Sequence, residues 1–183
     1  GMRRATYRTI GETGHRGLRP LIRLYTMVAG LALGLTFATA TMAGDPSFLA
    51  ISVGGYDVND NETAAEARIE FRWNEKFLGF KPTIGLLGNS KGGIYGYGGI
   101  NLDIFLGNRW VLMPNFAIGG YRRGSSKDLG NVLEFRSGLE LAYRFDDRAR
   151  LGVALSHISN ASLSNNNPGT ESLVLTYSIP IGN

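Results

Sequence analysis

The chain has 183 residues, enough for one domain and short for two, with a formal net charge of +4 and no cysteine. Residues 1–43 hold Arg3, Arg4, Arg8, Arg16, Arg19 and Arg23 against Glu12, a balance of +5, so residues 44–183 carry −1 of the chain's +4. That remainder offers no basic surface, which excludes nucleic acid as a partner on electrostatic grounds. Without cysteine there are no disulfides to stabilise a protein sent to an oxidising compartment, and a closed membrane barrel is another source of stability.

The first segment reads as an export signal. Arg16, Arg19 and Arg23 precede an apolar run over 24–37, and the small residues Ala38, Thr39, Ala40, Thr41, Met42 and Ala43 follow. This is the charged, apolar, small-residue order of a signal peptide, with cleavage expected after Ala40 or, preferably, Ala43. The apolar run falls short of the ~20 residues that a spanning helix needs. We therefore expect a removed leader over 1–43 and one domain over 44–183.

From Phe48 onward the apolar period is two, not 3.6. Eight strands are predicted, at 48–58, 62–74, 79–88, 93–106, 109–122, 131–145, 149–161 and 170–181. In the second, Ile69, Phe71 and Trp73 alternate with Arg68, Glu70 and Arg72. In the fourth, Ile100, Leu102, Ile104 and Leu106 share one parity, while Tyr95, Tyr97, Asn101 and Asp103 take the other. In the sixth, Leu133, Phe135, Leu139, Leu141, Tyr143 and Phe145 alternate with Glu134, Arg136, Glu140 and Arg144. Turn sequences separate the strands: Asn59-Asp60-Asn61, Asn89-Ser90-Lys91-Gly92, Gly107-Asn108, 124–130, Asp146-Asp147 and 164–169. Gly88-Asn89-Ser90-Lys91-Gly92 matches the G-x-S-x-G nucleophile elbow, but no helix follows it, so it reads as a hairpin turn. The glycines over 92–99 likewise precede no helix and are no phosphate cradle. Trp73, Trp110, Phe116 and Tyr177 are candidates for interfacial girdles.

The pattern predicts an all-β fold, an eight-stranded antiparallel transmembrane β-barrel with its apolar face outward. A soluble lipocalin-like barrel would turn that face inward. Charges of paired sign on the other face (Arg68, Glu70 and Arg72; Glu134 and Arg136) favour a narrow interior filled by ion pairs. Gly96, Gly98, Gly138 and Gly152 within the strands relieve crowding or permit bending. A soluble open sheet with charged faces would alternate in the same way.

His157 is the single histidine after the leader. Leu151, Val153, Leu155, His157 and Ser159 share one parity, so the histidine and serine prolong an apolar stripe. In the next strand Glu171 begins the stripe of Leu173, Leu175, Tyr177 and Ile179. A hairpin turning within 165–168 would set Ser159 opposite Glu171 and His157 diagonal to it, ~7–8 Å away. Nucleophile, base and orienting acid would then share one face, as a catalytic triad requires. The alternative is that these polar groups simply cap two strands at the headgroup boundary.

The run His157-Ile158-Ser159-Asn160-Ala161, with Glu171 twelve residues after the serine, resembles the signature of the lipid A 3-O-deacylase (PagL) family. These are eight-stranded outer-membrane barrels that remove the acyl chain ester-linked at position 3 of lipid A. The resemblance implies Ser159 as nucleophile, His157 as general base and then acid, and Glu171 as the group that orients His157. It also implies Asn160 as an oxyanion-hole donor, although in a regular strand Asn160 points away from Ser159. Its implied partner is lipopolysaccharide, through lipid A, in the outer leaflet of a Gram-negative outer membrane. It implies no cofactor and no metal, and it leaves a homodimer open. The rival functions are a barrel without catalysis and a different outer-membrane lipid hydrolase or acyltransferase. The chain ends Tyr177-Ser178-Ile179-Pro180-Ile181-Gly182-Asn183, without the terminal aromatic common in such barrels, and Pro180 is expected to weaken pairing there.

Overall fold

The computed structural model describes residues 45–60 and 63–182. The leader expected over 1–43 and its expected cleavage site lie outside the described residues. The strands are β1 (Ser47–Tyr56), β2 (Ala64–Arg72), β3 (Lys81–Asn89), β4 (Ile94–Asn101), β5 (Ile104–Leu106), β6 (Trp110–Arg122), β7 (Leu133–Arg144), β8 (Arg150–Ser159) and β9 (Thr170–Ile181). All pairings are antiparallel, β1 pairs with β9, and a β4–β6 ladder completes the ring.

The stretch 93–106, expected as one strand, is interrupted at Leu102 and Asp103. Its two pieces remain one stave of the barrel. Asn101↔Asn115 in β4 and Ile104↔Leu112 in β5 lie in the same unbroken register against β6. The ring is therefore an eight-stranded closed barrel. The break falls where Leu102 faces Pro114: Leu102 N–H donates to the Pro114 carbonyl at 3.1 Å, but proline has no N–H to return the bond. Beside it Asp103 pairs with Lys81 at 2.8 Å and with Arg150 at 3.0 Å.

Burial follows the alternation on every long strand. Ile69, Ile84, Leu86, Leu141, Val153, Leu173 and Leu175 point outward and exposed, whereas Arg68, Glu70, Arg72, Arg136, Glu140 and Arg150 point into the lumen and are buried. The apolar face is outward, as the paired charges implied. A chain with ~25 cal/mol at stake per Å² of apolar surface settles this way only if hydrocarbon, not water, surrounds it.

The lumen is filled in layers. In the middle, Arg72 bonds Glu70 at 2.9 Å and Glu140 at 2.8 Å, and Arg136 bonds Glu70 at 3.0 Å. Arg136 also lies over the Tyr97 ring, 4.2 Å from its centroid. At one end Arg150 bonds Asp45 at 2.8 Å, and Lys81 pairs with the same carboxylate. The other end, which carries the connections 57–63, 90–93, 123–132 and 160–169, we call the upper end. There aromatic and apolar side chains, Tyr56, Leu87, Tyr95, Tyr121, Leu129 and Ile158, pack together, alongside the buried Arg68–Glu66 ion pair and the Lys127–Asp57 ion pair. The Tyr56 hydroxyl donates to that of Tyr121 at 2.9 Å, and Tyr121 donates to the Lys127 carbonyl at 2.9 Å, so the buried phenols are satisfied.

The 88–92 segment is a hairpin turn between β3 and β4, closed by Gly92 N–H donating to the Asn89 carbonyl at 2.9 Å. Gly92 has φ +80, a left-handed conformation that favours glycine. Trp110 and Tyr143 pack edge to face at 5.4 Å, and Tyr143 meets Phe145 at 5.3 Å, at the lower rim. Trp73 and Tyr177 also lie toward that rim, whereas Phe116 sits higher, on the β6 residue paired with Ser137. Pro180 lies beyond the end of the β8–β9 ladder, which stops at Arg150↔Ser178, so β9 continues there against β1 alone.

The ionic layer yields a stability prediction. Arg72→Met should destabilise the barrel by about 3–5 kcal/mol, because it strips Glu140 of its ion pair inside the lumen. Adding Glu140→Gln should recover part of that loss. Urea unfolding in lipid vesicles measures both, and a single-variant cost under ~1 kcal/mol would show that the layer contributes little.

Candidate active site

The site forms where β8 and β9 reach the upper end. Both strands present alternate residues outward, and His157, Ser159 and Glu171 fall on that face, half-buried, above the exposed Leu155 and Leu173. The register differs from the expected one by two residues. His157, not Ser159, lies directly opposite Glu171, and Leu155 lies opposite Leu173. The hairpin turn is wider than 165–168 alone would make it: residues 160–169 connect the strands, with Ala161, Ser162 and Gly169 at φ +51, +65 and +66.

Direct opposition serves the histidine–carboxylate contact better than a diagonal would. His157 Nδ1 and Glu171 Oε1 are 2.8 Å apart. A carboxylate can only accept, so the hydrogen sits on Nδ1 and the second ring nitrogen, Nε2, is left as the basic position. The pair also answers the cost of placing polar groups on a lipid-facing wall, where an unpaired group is expensive. Ser159 follows two residues along the same strand, ~6.6 Å from His157 by the strand rise and on the same face.

The surrounding loops hold this end in place. Val58 N–H donates to the Glu171 carbonyl at 3.1 Å. The Thr170 hydroxyl donates to Asp57 at 3.0 Å, and Lys127 Nζ donates to the same Asp57 oxygen at 2.8 Å. Partial burial works against the charged form of Lys127, but its hydrogen bonds to Asp57 and Asp60 win and raise its pKa. The connection from β1 and the one from β6 are thus clamped beside Glu171 by a charged lysine.

Asn160 occupies a different place from the other three. Its side chain is buried, and Nδ2 lies 2.8 Å from each of three acceptors that share its two hydrogens, the Leu129 carbonyl, the Ser164 hydroxyl and the Asn166 carbonyl. Its backbone N–H donates to Asn167 Oδ1 at 3.0 Å. Asn160 is thereby tied into the 160–169 loop that follows Ser159.

Gly169 is a site residue that sequence reasoning did not find. Its φ of +66 and its position would put an added Cβ 2.6 Å from His157 Cε1 and 3.3 Å from Nε2. The ring rests against bare backbone. The only sequence signal was a glycine at a loop end, which is common enough to carry no assignment.

An outward face that is apolar, a lumen filled by ion pairs and a polar triplet at one rim define an integral membrane β-barrel with its site on the outer wall. The lipid A 3-O-deacylase (PagL) family model matches residues 63–180, and the chain belongs to that family. It is accordingly an integral outer-membrane protein. The crystal structure of the outer-membrane enzyme PagL is similar, with a TM-score of 0.58 at 19% identity, over 73% of this chain and 99% of that one. A de novo designed transmembrane β-barrel is similar at TM-score 0.52 and 9% identity, over 74% of this chain and 96% of that one. At such identities both likenesses speak for the fold alone. No curated protein sequence matches the chain significantly.

Gly169→Ala should displace the His157 ring, seen as a changed imidazole chemical shift by NMR in detergent. Gly107→Ala is the control, because Gly107 has φ +69 and nothing within 4 Å of its added Cβ. Equal effects of the two substitutions on the His157 signal would contradict a steric contact at Gly169.

Proposed function

We propose that this protein is a serine esterase that removes the acyl chain ester-linked at position 3 of lipid A in the outer leaflet. The observation that carries this reading is the His157–Glu171 hydrogen bond on the lipid-facing wall, with Ser159 on the same stripe. A hydrolytic group on the outside of a barrel meets membrane lipids laterally, and at the rim it meets them where acyl esters join the headgroup. Membership of the lipid A 3-O-deacylase family supports the choice of substrate and of ester position.

The steps follow from the proton positions. His157 Nε2 takes the proton of Ser159 as Oγ attacks the ester carbonyl carbon and the carbonyl π pair moves onto oxygen. Glu171, at 2.8 Å from Nδ1, holds the ring in the tautomer that leaves Nε2 basic and stabilises the imidazolium once it forms. Collapse of the tetrahedral intermediate breaks the bond to the sugar oxygen at position 3, which receives the proton from His157. Water then attacks the acyl carbon as His157 takes one of its protons; the second intermediate breaks its bond to Ser159 Oγ, which receives that proton from His157, and a fatty acid leaves. Asn160 serves as a positioning residue that fixes the loop between Ser159 and Glu171.

Lipid A from cells expressing the protein should lose one hydroxyacyl chain by mass spectrometry. Ser159→Ala should reduce this to background, and Glu171→Ala should slow it by roughly 10²- to 10⁴-fold. Unchanged lipid A would point to a barrel without catalysis, and cleavage of phospholipids instead would point to another lipid hydrolase. Activity surviving in Ser159→Ala would remove the nucleophile from the mechanism.

A further inference from the structure

The connection that follows β1 reaches the site as well as bracing it. The β1–β9 ladder ends at Tyr56↔Ser172, and the chain then turns over residues 57–60, where Asp60 N–H donates to the Asp57 carbonyl at 3.4 Å. Asp57 takes φ +57, and Lys127 Nζ bonds the side chains at both ends of the turn, Asp57 at 2.8 Å and Asp60 at 3.0 Å. Val58 N–H holds the same turn to the Glu171 carbonyl at 3.1 Å. Between these fixed points lies Asn59, whose side chain hydrogen-bonds the Glu171 carboxylate. A carboxylate only accepts, so Asn59 Nδ2–H is the donor.

We propose that Asn59 is a positioning residue of the esterase site, its amide holding the Glu171 carboxylate in the orientation that receives the Nδ1–H of His157. This rests on the esterase reading given above. Glutamate is among the side chains with the most rotamer freedom to lose when it is ordered. Held by His157 alone, the half-buried carboxylate would be free to swing toward headgroup water and leave Nδ1 without its acceptor. A second donor, fixed on a different strand connection, removes that freedom.

The cation of this turn bonds its two ends, and the group that bonds Glu171 is a neutral amide. It orients the carboxylate without placing a full positive charge beside the imidazolium that forms during the reaction. Asn59 moves no proton and makes no bond to the ester, so its effect passes through the tautomer of His157. With Glu171 in place the hydrogen stays on Nδ1 and Nε2 is the base. With Glu171 displaced the ring also populates the other tautomer, whose Nε2–H cannot take the proton of Ser159.

The test uses the full chain in detergent with lipid A as substrate. Asn59→Ala should lower kcat roughly 5- to 30-fold with KM changed by less than about threefold. Asn59→Asp keeps the shape and suits a turn equally well, but at a pH where both carboxylates are ionised it sets acceptor against acceptor. It should therefore lose at least as much as the alanine variant. Nitrogen-15 NMR of the His157 ring, assigned by its absence in His157→Gln, should show hydrogen on Nδ1 in the wild type and a rise in the Nε2–H form in both variants. An unchanged kcat in Asn59→Ala, a wild-type rate in Asn59→Asp, or an unmoved tautomer ratio in slow variants would each overturn the assignment. Wild-type protein that releases no acyl chain would sink the esterase reading itself, and the tautomer ratio would still decide whether Asn59 positions Glu171.

Discussion

Every backbone amide that crosses a hydrocarbon layer needs a partner within the protein, and here the β4–β6 ladder supplies the last of them. Closing the ring has a second effect. It divides each strand between a lumen too narrow for anything but side chains and an exterior that meets lipid. The two-residue period of the pleat then assigns every residue to one side, with no intermediate choice. Arg72, Arg136 and Arg150 are tolerable in the lumen because Glu70, Glu140, Asp45 and Asp103 face them there. The same sorting puts His157, Ser159 and Glu171 outside.

Polar groups on the outer wall are unfavourable anywhere but the rim, and the site sits at the rim. Its three residues end their stripes just above Leu155 and Leu173, so the chemistry we propose would take place at the depth of an acyl ester. Holding it there is a task for the loops. Asp57 ties Lys127 to Thr170, Val58 hangs on the Glu171 carbonyl, and Asn160 binds the 160–169 connection to Leu129. The functional side chains are borne by strands, which are rigid, and the register of those strands is fixed from above by buried polar contacts.

Much of this was legible in the sequence because the signal is local. Alternation of Ile69, Phe71 and Trp73 with Arg68, Glu70 and Arg72 declares both a strand and its two faces within seven residues. The face of His157, Ser159 and Glu171 could be read in the same way. What could not be read depends on distant partners. The pairing of His157 with Glu171 rather than Ser159 with Glu171 is set by a loop whose shape depends on Asn160 reaching Leu129, 31 residues away. The interruption at Leu102 and Asp103 keeps the parity of the stripe, and it falls opposite Pro114 of β6, which cannot return a ladder bond. Asn59 is indistinguishable in sequence from any turn asparagine until the 57–60 turn sets it against Glu171. Gly169 acquires its meaning only from the ring that rests on it.

The orientation of one side chain decides the matter. With the protein isotope-labelled in detergent micelles, nuclear Overhauser contacts from the His157 ring report directly on its surroundings. Contacts to Glu171 and to the detergent methylenes next to the headgroup are the predicted result. Contacts to lumen residues such as Arg68 or Ser156, with none to detergent, would place the imidazole inside the barrel and contradict an outward-facing site.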